Sequence, residues 1–363
     1  MRPGWRAERS SGLADRHRMT SGGGAGRRAR ALVVGLLVFG GCGGALEEPV
    51  SGVVEPSPTG GEGVRLVYLG TGGWIFEHDG AQILAGPLFS NPDFWRTGVG
   101  PIEPDTAVID RYMSRFDVSD AGAILVGHAH YDHLMDVPRV ARRHAPAARI
   151  LGSRTILNTL GTWSELMHRV EVMDTLAGDE AEPGRWFYVG STVRVMALRS
   201  LHGSHFDGLT FYVGTVDEPR AEAPGAATEW VDGETYAFLV DFLDASGDVV
   251  FRIYYQDAVA PPPWGLAPDP VITARRVDAA ILVPAVFEEV PWHPETIVRN
   301  LSPRRVLLGH WEDFFQPIED PPEPVPFTDL AEFEARLARV YPGPVWRPDR
   351  FTEFRFPACR ECS

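Results

Sequence analysis

Three imidazoles and one carboxylate lie close together in the run His128-Ala-His130-Tyr-Asp132-His133. Burying such a set of polar groups carries a heavy desolvation cost unless something binds them. Imidazole and carboxylate groups are ligands of zinc and related divalent metals. His128 and His130 can face one ion, whereas Asp132 and His133 turn the corner and can face a second. The run therefore predicts a metal centre, in preference to a solvated loop rich in histidine.

The elements that must position this run are predicted from the hydrophobic pattern. From residue 64 onward, β-type segments alternate with short helical ones, which predicts an α/β fold rich in strands. Helices are predicted directly after Asp136, with Pro138 in the first turn, and over residues 328–341. The predicted strands are residues 64–69, 74–78, 81–84, 123–126, 193–198, 209–213, 236–242, 249–255, 279–283 and 306–308.

The two halves of the chain share a short motif. Ala-Ile-Leu-Val-Gly-His128 resembles Arg-Val-Leu-Leu-Gly-His310, and each is a buried-type strand that ends in Gly-His. Chance can produce such a match, and so can a duplicated sandwich that carries its site along the strand ends.

At the histidine-rich run the sequence resembles the metallo-β-lactamase superfamily, whose His-x-His-x-Asp-His signature it matches at every position. The resemblance extends from about residue 64 to about residue 356. It implies a four-layer αβ/βα sandwich with a dinuclear metal hydrolase site. It also implies a third His after a later strand, a metal-bridging Asp at a strand end and a last His near the C-terminus. The candidates in this chain are His202 or His205, Asp257 and His310.

The resemblance implies a role for each of these residues. By this resemblance, His128, His130 and His202 would hold the first ion, Asp132, His133 and His310 would hold the second, and Asp257 would bridge the two. A metal-bound hydroxide would attack an ester, lactone or phosphodiester bond, since metal binding lowers the pKa of water to about 7. Zinc suits the ligands, although manganese or iron could occupy them.

Two further roles are expected at this site. Asp132 would orient or deprotonate the nucleophile. Between the two later histidines, His202 is favoured as the metal ligand because it is the first His beyond the strand, and the reverse assignment stays open. His205 would then lie at the rim, where it could orient the substrate or donate a proton to the leaving group.

Within the superfamily, the ending Leu-Leu-Gly-His310-Trp looks most similar to the branch of ascorbate-6-phosphate lactonase and N-acyl phosphatidylethanolamine phospholipase D. One departure is Leu84-Ala-Gly86-Pro87, where many relatives place an Asp before Pro to brace the ligands. Gly86 has no side chain for this, so the support must come from elsewhere. Two alternative functions stay open: a mononuclear iron sulfur dioxygenase-like oxidoreductase, and a non-catalytic envelope binding lipoprotein on the same fold.

The net charge of −15 disfavours nucleic acid as a partner, because an acidic body repels phosphate polyanions. The N-terminal segment differs, since an Arg-rich start precedes an apolar run over residues 31–41. That run is too short to span a bilayer but matches the apolar region of a secretory signal. Residues 1–41, followed by Cys42, resemble a bacterial lipoprotein signal, with translation starting at Met1 or Met19. A plain signal peptide with an incidental cysteine is the alternative.

These features predict a bacterial cell-envelope protein held to a membrane through a lipidated Cys42 and acting on a small-molecule or lipid-like substrate. Residues 42–63 are predicted to be a flexible linker, 64–356 the metallo-β-lactamase domain and 357–363 a C-terminal tail. In an exported protein, Cys359 and Cys362 are expected to form a small disulfide. The aromatic-rich segment 90–120 either caps the active-site cleft or packs a small core of its own.

Overall fold

The computed structural model describes residues 63–359. The predicted signal segment, Cys42 and Cys362 lie outside these residues, so lipidation and the pairing of Cys359 with Cys362 stay predictions. Within the described range, no helix is both long enough and apolar enough to cross a membrane.

Fourteen strands form the core of the described chain. In chain order they are β1 (Val64–Gly70), β2 (Gly73–His78), β3 (Ala81–Ala85), β4 (Ala123–Leu125), β5 (Arg149–Gly152), β6 (Val170–Val172), β7 (Phe187–Val189), β8 (Val193–Ser200), β9 (Thr235–Leu243), β10 (Val249–Tyr255), β11 (Ala279–Leu282), β12 (Val306–Leu308), β13 (Val345–Trp346) and β14 (Glu353–Phe356).

Nine α-helices are described, most of them short. They are α1 (Phe94–Val99), α2 (Thr106–Met113), α3 (Tyr131–Leu134), α4 (Val137–Arg143), α5 (Arg154–Thr159), α6 (Ser164–Met167), α7 (Asp269–Ala274), α8 (Glu295–Leu301) and α9 (Leu330–Val340). Three 3₁₀ turns lie at Leu160–Thr162, Ala227–Glu229 and Phe287–Glu289.

The strands form two seven-stranded sheets with the same pattern of pairing. The orders are β14-β1-β2-β3-β4-β5-β6 and β13-β12-β11-β10-β9-β8-β7. Counted from β14 in the first sheet and from β7 in the second, each sheet has three antiparallel pairs followed by three parallel pairs. In this pattern β4 is the first strand of its parallel half, whereas β12 is the second strand of its own. The sandwich is therefore duplicated, but the two Gly-His motifs stand at positions that do not correspond.

The sheets pack face to face, and helices cover their outer faces. Along β1 the side chains alternate: Leu66 and Tyr68 join the core between the sheets, whereas Val67 and Leu69 join the cluster under α2 and α4. Helices α8 and α9 cover the other sheet. The fold is the expected α/β sandwich of four layers.

Nine of the ten predicted strands are present, with ends that differ by two residues or fewer. Both predicted helices are present as α4 and α9. The prediction of a strand over residues 209–213 is wrong, because this segment is a loop whose Leu209, Phe211 and Val213 side chains are all exposed. Its alternating apolar pattern does not face a core.

Both interpretations of the aromatic-rich segment 90–120 hold for different residues. Tyr112 and Met113 are buried, and the Tyr112 ring stacks on Phe89. Phe94, by contrast, is half exposed and lines a cavity next to the histidine-rich run. The segment thus packs a core of its own and also supplies one aromatic wall.

Candidate metal centre

The histidine-rich run begins three residues beyond β4 and enters α3. His128 and His130 are buried before the helix, and the first turn of α3 carries Asp132 and His133. The run passes close to the second sheet at Gly127, where an added Cβ would lie 2.3 Å from the Cβ of Asp257. Only glycine permits this approach without displacing Asp257.

The other three predicted ligands come from the second sheet. His202, Asp257 and His310 each lie two residues beyond the end of a strand, β8, β10 and β12 respectively. These three strands run in the same direction, so their carboxyl ends share one edge of the sheet. The second sheet therefore brings these residues to the run that follows β4.

All seven predicted ligands meet in three overlapping groups, within each of which the candidate ligand atoms lie within 4.8 Å of one another. Asp257 lies between the two outer groups, with Oδ2 2.7 Å from His128 Nδ1 and Oδ1 3.1 Å from His133 Nδ1. This is the position expected of a bridging ligand. The groups are His128, His130 and His202; His128, His133 and Asp257; and Asp132, His133 and His310.

His205 lies beside the ligands but belongs to none of the three groups. Its ring stacks on His202 at a centroid distance of 4.4 Å, and its Nδ1 accepts a hydrogen bond from the backbone N–H of Phe211 at 3.1 Å. In the neutral ring the proton therefore resides on Nε2. This arrangement supports His202 as the ligand and His205 as a rim residue, an assignment that stays a prediction.

The two carboxylates at the centre are buried among the histidines. Burial by itself would raise the pKa of Asp257 and of Asp132, but neighbouring imidazoles outweigh it and hold both pKa values well below their usual range. Burial opposes charge on His133 as well, yet Asp257 and Asp132 raise its pKa to about 10. Burial lowers the pKa of His128 to about 3. The site thus combines two buried, ionised carboxylates with a protonated His133 and a neutral His128.

The residues at this centre fit a metal. His310 Nδ1 is buried and has no hydrogen-bond partner among the described residues. His310 Nε2 lies 3.1 Å from Asp132 Oδ2, and His128 Nε2 lies 3.1 Å from His130 Nδ1. Converging imidazole nitrogens and two buried carboxylates form a donor set that suits divalent cations.

A hydroxyl group braces the central carboxylate from behind. Tyr255, the last residue of β10, places its hydroxyl 2.6 Å from Asp257 Oδ1 and 2.8 Å from the carbonyl oxygen of Gly72. A Cβ added at Gly86 would lie 3.4 Å from this hydroxyl and 3.4 Å from His133 Nδ1. Tyr255 therefore occupies the space next to Gly86 and supplies the support that Gly86 lacks.

Sequence reasoning missed Tyr255, although a signal was present. Side chains alternate across a strand, so Tyr255 shares a face with the residue two positions later. A tyrosine two residues before a predicted metal-bridging Asp is therefore a candidate hydrogen-bond donor to it.

A second brace holds His310, whose backbone is left-handed at φ +52°. The His310 N–H donates to the carbonyl of Thr71 at 2.7 Å, and the N–H of Thr71 donates to Glu312 Oε1 at 2.8 Å. Tyr68 also donates to Glu312. The surrounding structure thus holds a conformation that costs a non-glycine residue of the order of 1–3 kcal/mol.

Residues 103–223 match the family model described as the beta-lactamase superfamily domain. This third of the chain is similar to that superfamily domain. The match includes the histidine-rich run, His202 and His205, and it confirms the superfamily resemblance. Asp257 and His310 lie beyond the matched residues, and the particular branch stays a prediction.

Several known proteins are similar to this chain. A metal-dependent hydrolase of Aeropyrum pernix is 32% identical over 87 residues, which cover 24% of this chain and 28% of that relative. Igni18, a metallo hydrolase from Ignicoccus hospitalis, is 16% identical, with a TM-score of 0.47 over 81% of this chain and 98% of its own. YhfI of Bacillus subtilis, a metallo-beta-lactamase fold protein, is 12% identical, with a TM-score of 0.46 over 81% of this chain and 100% of its own.

Proposed function

We propose that this protein is a hydrolase that holds two divalent metal ions, most suitably zinc, and cleaves an ester, lactone or phosphodiester bond. The observation that carries the proposal is the set of three overlapping ligand groups, with Asp257 in contact with His128 on one side and His133 on the other. A single ion could occupy only one of the two outer groups. The other group, whether the three imidazoles or the set that includes Asp132, would then have no cation to bind.

His128, His130 and His202 would hold one ion, Asp132, His133 and His310 the second, and Asp257 both. Bound metal ions would supply Lewis acidity, because they lower the pKa of a coordinated water to about 7 and stabilise charge on a substrate oxygen. The Tyr255 hydroxyl keeps the Asp257 carboxylate in place through its hydrogen bond. Such outer contacts orient the ligands of a metal site.

Two residues are placed to act on the reacting groups. Asp132 lines the cavity and contacts His133 and His310 through Oδ2, so it is held where it can accept a hydrogen bond from the attacking water. His205 lines the same cavity and carries its proton on Nε2, since the backbone N–H of Phe211 occupies Nδ1. This N–H can donate to an oxygen of the substrate.

The name of the Aeropyrum pernix relative, a metal-dependent hydrolase, also supports this proposal. Because the matched segment is a small part of that protein, the support concerns the class of reaction and not a substrate.

Metal analysis of the purified protein, combined with a substrate panel, tests the proposal. We expect two equivalents of divalent metal, and turnover of at least one ester, lactone or phosphodiester that chelation abolishes and zinc restores. Asp257→Ala should lose metal, mainly the second equivalent, and most of the turnover, whereas Asp244→Ala, on a distant hairpin turn, should lose neither. One equivalent of iron with no hydrolysis would favour the iron oxygenase instead, and loaded protein inert towards the whole panel would refute the proposal.

A further inference from the structure

The cavity next to the metal centre has a volume of about 440 Å³, which is within the range of small-molecule sites. Apart from the predicted ligands and His205, its polar lining consists of Thr97, Tyr131 and Tyr212. The rest of the wall is hydrocarbon or aromatic. Removing water from such a wall favours an apolar ligand by about 25 cal/mol for each Å² that the ligand covers.

One side of the cavity is a continuous row of aromatic rings, here called the Phe314 wall (Phe94, Phe315 and Phe314). Phe94 is 50% exposed and contacts Phe315 at a centroid distance of 5.3 Å. Phe315 contacts the buried Phe314 at 4.4 Å, and Phe314 contacts the ring of His310 at 4.9 Å. The wall therefore leads without interruption from solvent to a predicted metal ligand.

The cavity lining includes a second apolar surface, here called the Phe211 rim (Phe206, Phe211 and Phe327). Phe206 is 55% exposed and Phe327 75% exposed, and their rings contact each other at 6.1 Å. Phe211 contacts His205 at 5.3 Å. Exposed apolar patches of this kind mark interaction sites in soluble proteins. Of the alternating apolar residues in the loop 209–213, Phe211 lines the cavity.

Arg and Lys side chains are missing from the described lining of the cavity. None of the described residues that line the cavity is Arg, and the chain contains no Lys. Arg96, which adjoins the cavity residue Thr97, has its Nε 3.4 Å from Asp93 Oδ2. Proteins that select phosphate or carboxylate groups place Arg or Lys against them. The cavity offers a charged substrate no such partner beyond the metal centre itself.

We propose that the substrate of this site is an uncharged ester or lactone with an extended apolar group that lies between the Phe314 wall and the Phe211 rim. This inference rests on the proposed function and selects among its three bond types. In the reaction, the oxygen of water bonds to the acyl carbon and the bond from that carbon to the alcohol oxygen breaks. The electron pair of the broken bond stays with the alcohol oxygen, and one proton of the water is transferred to that oxygen. The products are an acid and an alcohol.

A series of p-nitrophenyl esters tests the substrate class in zinc-loaded protein. If each added methylene of the acyl group is at least half buried, kcat/KM should rise about two- to four-fold per methylene from acetyl to octanoyl. Bis(p-nitrophenyl) phosphate, an anionic diester with the same leaving group, should be a poorer substrate than the octanoyl ester. Equal kcat/KM for acetyl and octanoyl esters, or a preference for the phosphate diester, would overturn the substrate class.

Substitutions of exposed aromatic residues identify the surface that contacts the acyl chain of the ester. Phe94→Ala and Phe327→Ala should each lower kcat/KM for the octanoyl ester several-fold more than for the acetyl ester. Tyr188→Ala is the matched control, because Tyr188 is also exposed but lies on β7 and does not line the cavity. A chain-length dependence that Phe94→Ala, Phe327→Ala and Tyr188→Ala leave equally unaltered would place the apolar group elsewhere and refute the proposed surface.

Binding of methyl alkyl ketones separates this inference from the proposed function, since ketones keep a carbonyl group but have no ester bond to break. Calorimetry should show affinity that rises with alkyl length, falls in Phe94→Ala, and exceeds that for diethyl phosphate. Such binding without turnover of any ester, lactone or phosphodiester would refute the hydrolase while supporting the apolar site. Turnover combined with ketone affinities that do not depend on length would refute the substrate class alone.

Discussion

Removal of one oxygen atom, in Tyr255→Phe, tests how the central carboxylate is held. The Tyr255 hydroxyl is buried and lies within hydrogen-bond distance of two acceptors, Asp257 Oδ1 at 2.6 Å and the Gly72 carbonyl at 2.8 Å. A hydroxyl has one proton, and the charged carboxylate is the stronger acceptor. The substitution therefore removes the donor that fixes Asp257 and leaves the ring in place.

The size of the effect follows from the charge of the acceptor. Hydrogen bonds to charged groups contribute about 1.5–3 kcal/mol, which corresponds to about 10- to 150-fold in an equilibrium constant. Loss of an outer contact to a ligand typically costs about 10- to 100-fold in metal affinity. We expect the zinc Kd of Tyr255→Phe to rise within this range.

Competition with a chromophoric zinc chelator measures that Kd, and the preceding residue supplies the control. Tyr254 is also buried in β10, but its hydroxyl donates to the carbonyl of Gly265 at 2.8 Å on the other face of the strand. Tyr254→Phe should therefore lower the free energy of unfolding by about 1 kcal/mol and leave zinc affinity unchanged. Equal zinc affinities for Tyr255→Phe and Tyr254→Phe would refute the proposed brace.

Three further predictions concern other parts of the molecule. Gly127→Ala should lower bound metal and destabilise the fold by about 1–3 kcal/mol, because its Cβ would overlap the bridging carboxylate; Gly98→Ala, whose Cβ meets nothing within 4 Å, should do neither. His202→Ala should lose metal together with activity, whereas His205→Ala should keep its metal and lose mainly rate. Burial lowers the pKa of His293 from 6.5 to about 4, so the unfolded chain binds a proton that the folded chain refuses. The contribution of neutral His293 to the free energy of unfolding is therefore fully present above pH 6.5, the pKa of His293 in the unfolded chain. It decreases as the pH drops towards the pKa of about 4 in the folded chain, by about 2 kcal/mol near pH 5, and His293→Gln should abolish this part of the loss.

Metal analysis, turnover and urea unfolding check these three predictions. Full metal content in Gly127→Ala would show that the second sheet can move away from the histidine-rich run. Metal loss in His205→Ala, with none in His202→Ala, would reverse the assignment of the third ligand. A pH dependence of unfolding that is the same in His293→Gln and the wild type would show that His293 keeps an ordinary pKa.

Most residues of the candidate site could be predicted from the sequence, because metal chemistry concentrates ligands at strand ends. The run from His128 to His133 is local, so its residue types alone predict a metal centre. Asp257 and His310 were predicted from chain order and strand context, and both follow strands whose bounds agree with the prediction. A short buried strand with β-branched and aliphatic residues is readily predicted from one segment.

Features that depend on contacts between distant segments could not be predicted from the local pattern of residues along the chain. The spacing of Tyr255 and Asp257 marks Tyr255 as a candidate donor, but its contact with the Gly72 carbonyl and its place beside Gly86 join segments that are far apart in the sequence. The loop 209–213 was predicted as a strand because its residues alternate, and alternation does not reveal whether the apolar side chains face a core or a cavity. Short strands such as β6 and β13 carry too few residues to show a period.

The centre is built at the seam between the two sheets. Four of its candidate ligands follow β4 in the first half of the chain, and the other three follow β8, β10 and β12 in the second. During synthesis the first half emerges with an incomplete site, and final coordination must wait until the second sheet has formed. A metal ion bound there would fasten the two halves together, so its binding free energy would add to the free energy of folding. Metal supply would then set how long the finished protein survives, as well as how fast it works.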